Sequence, residues 1–412
     1  MPHSIKLITH HGLEAVMRRE VSQIVPGLSS TSCVTPRAVS LTFFGATGEL
    51  SSNPVDRTLA TLSLRSGIMT GIRVQVGAGF SAEWENQIRE GLPKLQWNLF
   101  LPKSTTAGDL QISVKSHKSR LLSAPHVRDI AREVLLNELP NPSTHSSAGV
   151  AWGTQCSPKI CIDLNDNVMR VYIEAVGSEA SWCLESFPAD SRIRIGSAVA
   201  HSVYHRALRG VLDRCDFRFK LWDPFTSDGG LALTLAKAIT GVPAGSPAYP
   251  YPFRLFPMHN PTVFAGVANE LVCQPHARID LIESSVLSDS SIEAINISKT
   301  NMEAFKKSLP QVDSGDVIPF PIDIVRFPDA YSPPEGRLVI VTALPIKGDT
   351  QRKYKKFHDM VDKLMQDKRL AGCIVLTSKP VEFRRLSQRS WLTELRFFYG
   401  GRFVETLRLV DS

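Results

Sequence analysis

The sequence predicts two successive fold types: an α+β region over residues 1–187, then a mainly parallel, doubly wound α/β domain over 188–412. Three observations predict this. The chain has 412 residues, too many for one ordinary core. Its first half mixes short strand-like runs, hairpin turns and amphipathic helical runs. Past a composition shift at Phe187-Pro188-Ala189-Asp190, near-continuous apolar runs alternate with helical ones, the pattern of strands buried on both faces.

In the first region Ile5 to Thr9 reads as a strand, and Gly12 to Val25 as a helix with Leu13, Val16, Met17, Val21 and Ile24 on one side. Val39 to Phe44 is a strand, followed by a helix from about Pro54 to Ser66. Gly71 to Val76 and Leu110 to Lys115 are strands; Ala124 to Leu139 is a helix with Val127, Ile130, Ala131, Val134 and Leu135 inward. Strands Lys159 to Leu164 and Met169 to Ala175 flank Asn165-Asp166-Asn167, a turn signal between apolar runs. The Pro, Ser and Thr rich stretch from Asn137 to Pro158 reads as an exposed loop. In the second region Arg218 to Trp222 leads into a helix from Gly229 to Thr240, and Thr262 to Gly266 reads as the next strand. Arg337 to Thr342 leads into a helix from Tyr354 to Lys368, and Gly372 to Thr377 follows as a strand. Ligands of such sheets bind at the carboxyl ends of the strands.

Composition narrows the function classes. Hydrophobic residues make up 43% and charged residues 21%, the balance of a globular protein, and no apolar run is long enough to span a bilayer, so no membrane role is expected. The 7 cysteines form no CxxC pair, which points to a reducing compartment and no metal site. The start, Met1-Pro2-His3-Ser4 before Ile5-Lys6-Leu7-Ile8, lacks the features of a signal peptide or an organellar presequence. Net charge is +7, yet residues 336–412 alone carry 16 Lys or Arg against 8 Asp or Glu. The basic surplus therefore belongs to the C-terminal segment, where it favours a polyanionic partner.

The loop after the first strand of the second region reads Leu221-Trp222-Asp223-Pro224-Phe225-Thr226-Ser227-Asp228-Gly229-Gly230. An acid ending a strand, a small-residue turn and then a helix can bring backbone amides near an adenosyl or phosphate ligand, and equally satisfies N-capping and tight turning. On Asp223, Pro224 and Gly229, the helix Gly12-Leu13-Glu14, the segment Leu62-Ser63-Leu64-Arg65-Ser66-Gly67-Ile68-Met69 and the order of elements from Ile112 to Trp182, the chain resembles the bacterial-type large-subunit rRNA guanine-N2 methyltransferases. That resemblance implies an N-terminal ferredoxin-like and THUMP RNA-binding module followed by a Rossmann-like class I methyltransferase domain, with S-adenosylmethionine cradled by Asp223, Pro224, Gly229 and Gly230.

Against the family pattern Asp-Pro-x-Cys-Gly-Ser-Gly-Thr, Thr226 replaces Cys, Ser227 the first Gly, Asp228 Ser and Gly230 Thr. Ser227 adds a side chain where backbone should approach the ligand, and Asp228 adds a second carboxylate, which a cationic sulfonium tolerates. The acid ending the second strand, which would hold the ribose, falls on Ala268, with Glu270 a substitute only in a shifted register. The next family acid falls near Lys299-Thr300-Asn301-Met302, where none is found. The family's Asn-Pro-Pro-Tyr, which holds a target amine and stacks on the flipped base, reads Ala343-Leu344-Pro345-Ile346.

These departures imply a vestigial cofactor loop with no cofactor bound and no catalytic residue, on a scaffold that binds RNA through basic side chains. Lys347, Arg352, Lys353, Lys355 and Lys356 surround a helix start, and Arg384, Arg385 and Arg389 follow the next strand. Lys115, Lys118 and Arg120, with His117, form a smaller patch in the first region. The expected function is a non-catalytic rRNA-binding ribosome assembly factor, partnered by ribosomal RNA and ribosomal or assembly proteins, in a mitochondrion or alternatively the cytoplasm. The alternatives are an active S-adenosylmethionine-dependent rRNA guanine-N2 methyltransferase and a structural subunit of a ribonucleoprotein.

Overall fold

A computed structural model describes residues 3–25, 34–35, 38–43, 54–102, 105, 110–138, 158–177, 196–309, 318–344 and 350–410. The boundary expected at 187/188 and most of the loop from 137 to 158 lie outside them.

In chain order the first part comprises β1 (His3–Ile8), α1 (Glu14–Ile24), β2 (Val34–Thr35), β3 (Ala38–Phe43), α2 (Pro54–Arg65), β4 (Gly71–Gln75), β5 (Phe80–Ser81), α3 (Glu85–Gly91), β6 (Gln111–His117), α4 (Ala124–Glu138), β7 (Lys159–Asn165) and β8 (Val168–Val176). Its strands form an eight-stranded sheet ordered β2-β3-β1-β4-β8-β7-β6, with β5 paired to β8. All pairings are antiparallel except β6 with β7. The turn foreseen at Asn165-Asp166-Asn167 joins β7 to β8 with Asp166 and Asn167 both left-handed, the conformation Asx residues tolerate in a two-residue hairpin. Helices α1 and α4 bury the foreseen stripes: Val16, Met17 and Val21, and Val127, Ile130, Ala131, Val134 and Leu135.

The second part runs α5 (Ser197–Val203), a π-helical turn (Tyr204–Leu208), α6 (Arg209–Leu212), β9 (Phe219–Asp223), α7 (Gly230–Ile239), α8 (Pro261–Asn269), β10 (Ile282–Asp289), α9 (Ile292–Ser308), β11 (Ile322–Arg326), β12 (Leu338–Ala343), α10 (Thr350–Gln366), β13 (Leu370–Thr377), α11 (Pro380–Arg385), β14 (Trp391–Tyr399) and β15 (Arg402–Leu409). Its seven strands are ordered β11-β10-β9-β12-β13-β15-β14. The strands from β11 to β13 pair in parallel, and β15 is antiparallel to both β13 and β14. The order reverses between β9 and β12, so the crevice at their carboxyl ends is where a doubly wound sheet takes a ligand.

One expected strand is corrected. Thr262 to Gly266 lies inside α8; Asn260 caps that helix through a 3.0 Å bond accepted from the Thr262 amide, and Pro261 fills the first helical position. The capping pair outweighs the strand propensity of Thr-Val-Phe. The second strand of the wound is β10, hidden in the sequence because Ser284, Ser285 and Ser288 interrupt its apolar run although all three are buried.

The two sheets are locked together. One apolar cluster runs through both, from Ile5, Leu59 and Ile72 to Val199, Leu231 and Phe397. Asp56 of α2 accepts from His259 Nδ1 at 2.8 Å and from the Asn260 amide at 2.9 Å, and Arg57 pairs with Glu270 at 2.9 Å. The Phe398 amide of β14 donates to His11 O at 2.8 Å, while a Cβ at Gly12 would lie 2.2 Å from Arg396 O. Beneath α2, the buried Glu20 carboxylate accepts from Ser66 Oγ at 2.5 Å and from the Gly67 amide at 2.9 Å, with His205 Nε2 4.0 Å away. Burial pushes Glu20 up to about 7 and holds His201 and His205 down near 3 and 4.

Candidate functional site

The turn after β9 sits where the switch point places it. Asp223 ends the strand almost wholly buried and accepts from Thr342 Oγ1 of β12 at 2.6 Å, a bond that ties the two switch-point strands together. Burial pushes its carboxyl up to about 7; the Thr342 bond and the Phe225 amide oppose that, and the charges of Asp289 and Asp228 add to it. Pro224 is buried next to it.

The loop keeps the backbone shape that glycine would give. Ser227 has φ +53° and Gly229 φ +79°, both left-handed, so serine occupies a conformation costly for a residue with a Cβ. Ser298 of α9 donates to Ser227 O at 3.1 Å and Asn301 to Asp228 O at 2.7 Å. The stretch around Asn301, where the family pattern has an acid, is therefore a helix bracing the loop from behind.

The residue that ends the second strand is also corrected. Asp289, not Ala268, ends the second strand, and Ala268 lies in α8. Asp289 accepts from the Ser291 amide at 2.9 Å and the Ser227 amide at 3.3 Å. The third strand is β11, and an acid, the exposed Asp329, follows it three residues on. The signal for Asp289 was in the sequence, an acid closing Val286-Leu287-Ser288, but it could be used only once β10 was located.

The residues fit S-adenosylmethionine in part. A sulfonium suits the carboxylates of Asp223, Asp228 and Asp289, and Asp289 stands where ribose hydroxyls would be held. Three loop amides, however, are already bonded within the protein: Ser227 to Asp289, Gly229 to Thr226 O at 2.8 Å and Gly230 to Asp228 Oδ1 at 3.0 Å. The cavity against Asp223, lined by Leu221, Trp222, Ala232, Leu235, Ser285 and Val341, measures about 10 Å³, room for about one water. Two buried polar atoms of this region, Thr226 Oγ1 and Asn301 Oδ1, have no hydrogen-bond partner among the described residues.

At the end of β12, Ala343 and Leu344 stand in place of the amide and first proline of the family pattern. Leu344 is 3% exposed, packs in the cluster with Ile340 and Phe357, and donates its amide to Leu376 O at 2.9 Å. Pro345, Ile346 and Lys347 lie outside the described residues.

The structure separates the predicted basic residues. Arg352, Lys355 and Lys356 are exposed on the first turns of α10 and Lys353 is half-buried beside them; Lys356 Nζ lies 5.5 Å from the Tyr331 ring centroid. Arg385 is exposed on α11, but Arg384 is bound to Thr393 and to Glu405 at 2.9 Å. Arg389 does not belong to the carboxyl-end face: it pairs at 2.7 Å with Asp362, twelve residues along α10, which runs back away from that edge. Lys115, Lys118 and Arg120 are exposed on β6 and the loop after it, on the other sheet. Among the described residues no His, Cys, Asp or Glu cluster could hold a metal, and no helix is long and apolar enough to cross a membrane.

No family model matches the sequence, and no curated protein matches it. Solved structures do. A protein assigned as a methyltransferase and complexed with SAH aligns over 100% of this chain and 98% of its own, at 16% identity and TM-score 0.71. A possible methylase from Clostridium difficile covers 100% of this chain and 99% of its own, at 14% identity and TM-score 0.69. TrmN from Thermus thermophilus covers 100% of both chains, at 14% identity and TM-score 0.60. The protein therefore has an α/β methyltransferase-like fold extending over the whole alignment, N-terminal sheet included.

Proposed function

We propose that this protein is a non-catalytic rRNA-binding factor on a methyltransferase scaffold, acting in ribosome assembly in a mitochondrion, with its N-terminal sheet serving as the ferredoxin-like and THUMP module. The observation that carries the loss of chemistry is the end of β12. A methyltransferase acting on an exocyclic amine needs a side-chain amide there to orient the nitrogen; Ala343 has none, and Leu344 is committed to the core. The internally bonded amides of Ser227, Gly229 and Gly230 support a loop that no longer serves a cofactor.

A second reading has its own support. Asp289 at the ribose position, the left-handed loop and the unpartnered Thr226 and Asn301 oxygens favour retained binding of S-adenosylmethionine, and with it a divergent guanine-N2 methyltransferase. Calorimetric titration with S-adenosylmethionine, paired with methyl transfer to ribosomal RNA precursors, separates the two. The proposal expects no heat of binding and no incorporation, with RNA still recovered by crosslinking. Stoichiometric methylation of a guanine would overturn it; cofactor binding without transfer would leave the loss of chemistry standing and refute only the lost cofactor site.

A further inference from the structure

We propose that Trp84 and Arg120 form a stacking site for an unpaired nucleobase, so that the N-terminal sheet engages a single-stranded segment of RNA; this deepens, and rests on, the RNA-binding reading above. The Arg120 guanidinium carbon lies 3.3 Å from the centroid of the Trp84 ring, and the tryptophan nevertheless remains 47% exposed. The other described tryptophans, Trp97, Trp222 and Trp391, are at most 8% exposed. A guanidinium lying over an indole ring presents cationic π surface, the kind on which splayed-out bases stack irrespective of sequence.

The pair is held in place by three loops laced together at one end of the sheet. Asn167 is their hub: its side-chain oxygen accepts from the Arg120 amide at 2.7 Å, its carbonyl from the Ala82 amide at 2.8 Å, and its amide donates to Ser119 Oγ at 3.0 Å. Gln87 Oε1 fixes the other side, accepting from the Glu83 amide at 2.7 Å and the Trp84 amide at 3.1 Å. Of the five described non-glycine residues with positive φ, three lie here: Lys118, Asp166 and Asn167. Lysine has no local hydrogen bond to offset that conformation, so the fold spends strain to turn the chain where Lys118 and Arg120 emerge.

Charge and exposure agree with a polyanionic strand. Lys115, Lys118 and Arg120 are exposed along β6, an edge strand, and its following loop, positioned to meet phosphates beside a stacked base. Two nearby acids are engaged, Glu85 with His126 at 2.5 Å and Asp166 with the Asn165 amide group at 2.7 Å, while Glu83 beside Trp84 is half-buried.

The test uses the full chain and fluorescence-labelled single strands of about ten nucleotides, with a hairpin of the same length and base-free heparin as comparators. The single strand should quench a tryptophan emission component that is missing in Trp84→Phe, and heparin should not. Trp84→Ala should weaken single-strand binding about 5- to 150-fold while sparing heparin binding, since one stacked base contributes about 1–3 kcal/mol. Arg120→Ala should act in the same direction and Arg120→Lys should fall short of restoring it, because lysine lacks the planar face. If the wild-type chain binds none of the RNA probes, the RNA-binding reading fails and this inference with it. If it binds them with Trp84→Ala unchanged, only the stacking site fails. Unchanged RNA binding with loss of a ribosomal-protein contact would make this face a protein interface and overturn the assignment.

Discussion

Replacing Lys355, Lys356 and Arg385 together by alanine should flatten the salt dependence of RNA binding far more than replacing Arg384 and Arg389, although all five look equivalent in the sequence. The first three are exposed; Arg384 and Arg389 are neutralised by Glu405 and Asp362 at 2.9 and 2.7 Å. Each phosphate contact contributes about 0.7 to 0.9 to the slope of log affinity against log salt, so the triple replacement should reduce the slope by about 2 to 3. Taking the intercept at ~1 M salt as unchanged, affinity should fall about 100- to 500-fold at ~0.1 M and only about 10- to 25-fold at ~0.3 M. The Arg384 and Arg389 double replacement should leave the slope alone and lower stability by about 1 kcal/mol or less per pair, since both arginines are about a third exposed, at 31%. Fluorescence anisotropy across a salt series, with circular dichroism as the control for folding, measures both effects. A triple variant that is folded with an unchanged slope, or a double variant that loses slope instead, would refute the proposal of an RNA face on α10 and α11.

The buried joint between the sheets should make stability depend on pH through Glu20. Its pKa is raised from 4.5 to about 7, so the stability it contributes is fully present below about 4.5 and is lost as pH rises through about 7. Urea unfolding from pH 5 to pH 8 should show the wild type losing about 2–3 kcal/mol relative to Glu20→Gln; a flat difference would contradict the raised pKa. Gly67→Ala places a Cβ 2.3 Å from the His201 ring at the same joint and should cost about 1–3 kcal/mol in the same assay, with no cost meaning that the ring is free to move. Thr342→Val removes the donor that steadies buried Asp223, so its carboxyl should rise further; the penalty, about 1–3 kcal/mol, should be larger at pH 8, where Asp223 must ionise, than at pH 6. Equal penalties at both pH values would show that Asp223 is not titrating in that range.

Much of the architecture was legible because local patterns and tertiary environment agree. The apolar stripes of α1 and α4 were read from spacing, the β7–β8 turn from Asn165-Asp166-Asn167, and the strands β9, β12 and β13 from continuous apolar runs that need burial on both faces. The loop after β9 could be placed for the same reason, an acid at a strand end followed by turn residues and a helix.

Where the reading failed, the deciding quantity was non-local. Serines can line a buried strand if partners satisfy them, as Ser288 Oγ accepting from Trp222 Nε1 at 2.8 Å shows, and nothing within residues 282–289 announces that partner 66 positions away. Missing β10 placed the end of the second strand at Ala268, where it is Asp289, so an acid that closes that strand went uncounted. The basic residues of the C-terminal segment were likewise indistinguishable by composition, because Glu405 and Asp362 reach Arg384 and Arg389 only through the fold of β15 and α10. The sequence by itself determined the alternation of elements, the doubly wound class and the presence of an apolar side chain at Ala343 where β12 ends, since these follow from side-chain identity and period. Only the tertiary structure decided the register of the acids, which cations are already paired, and the stacking of Arg120 on Trp84, because each depends on the distance between groups that the chain brings together from far apart.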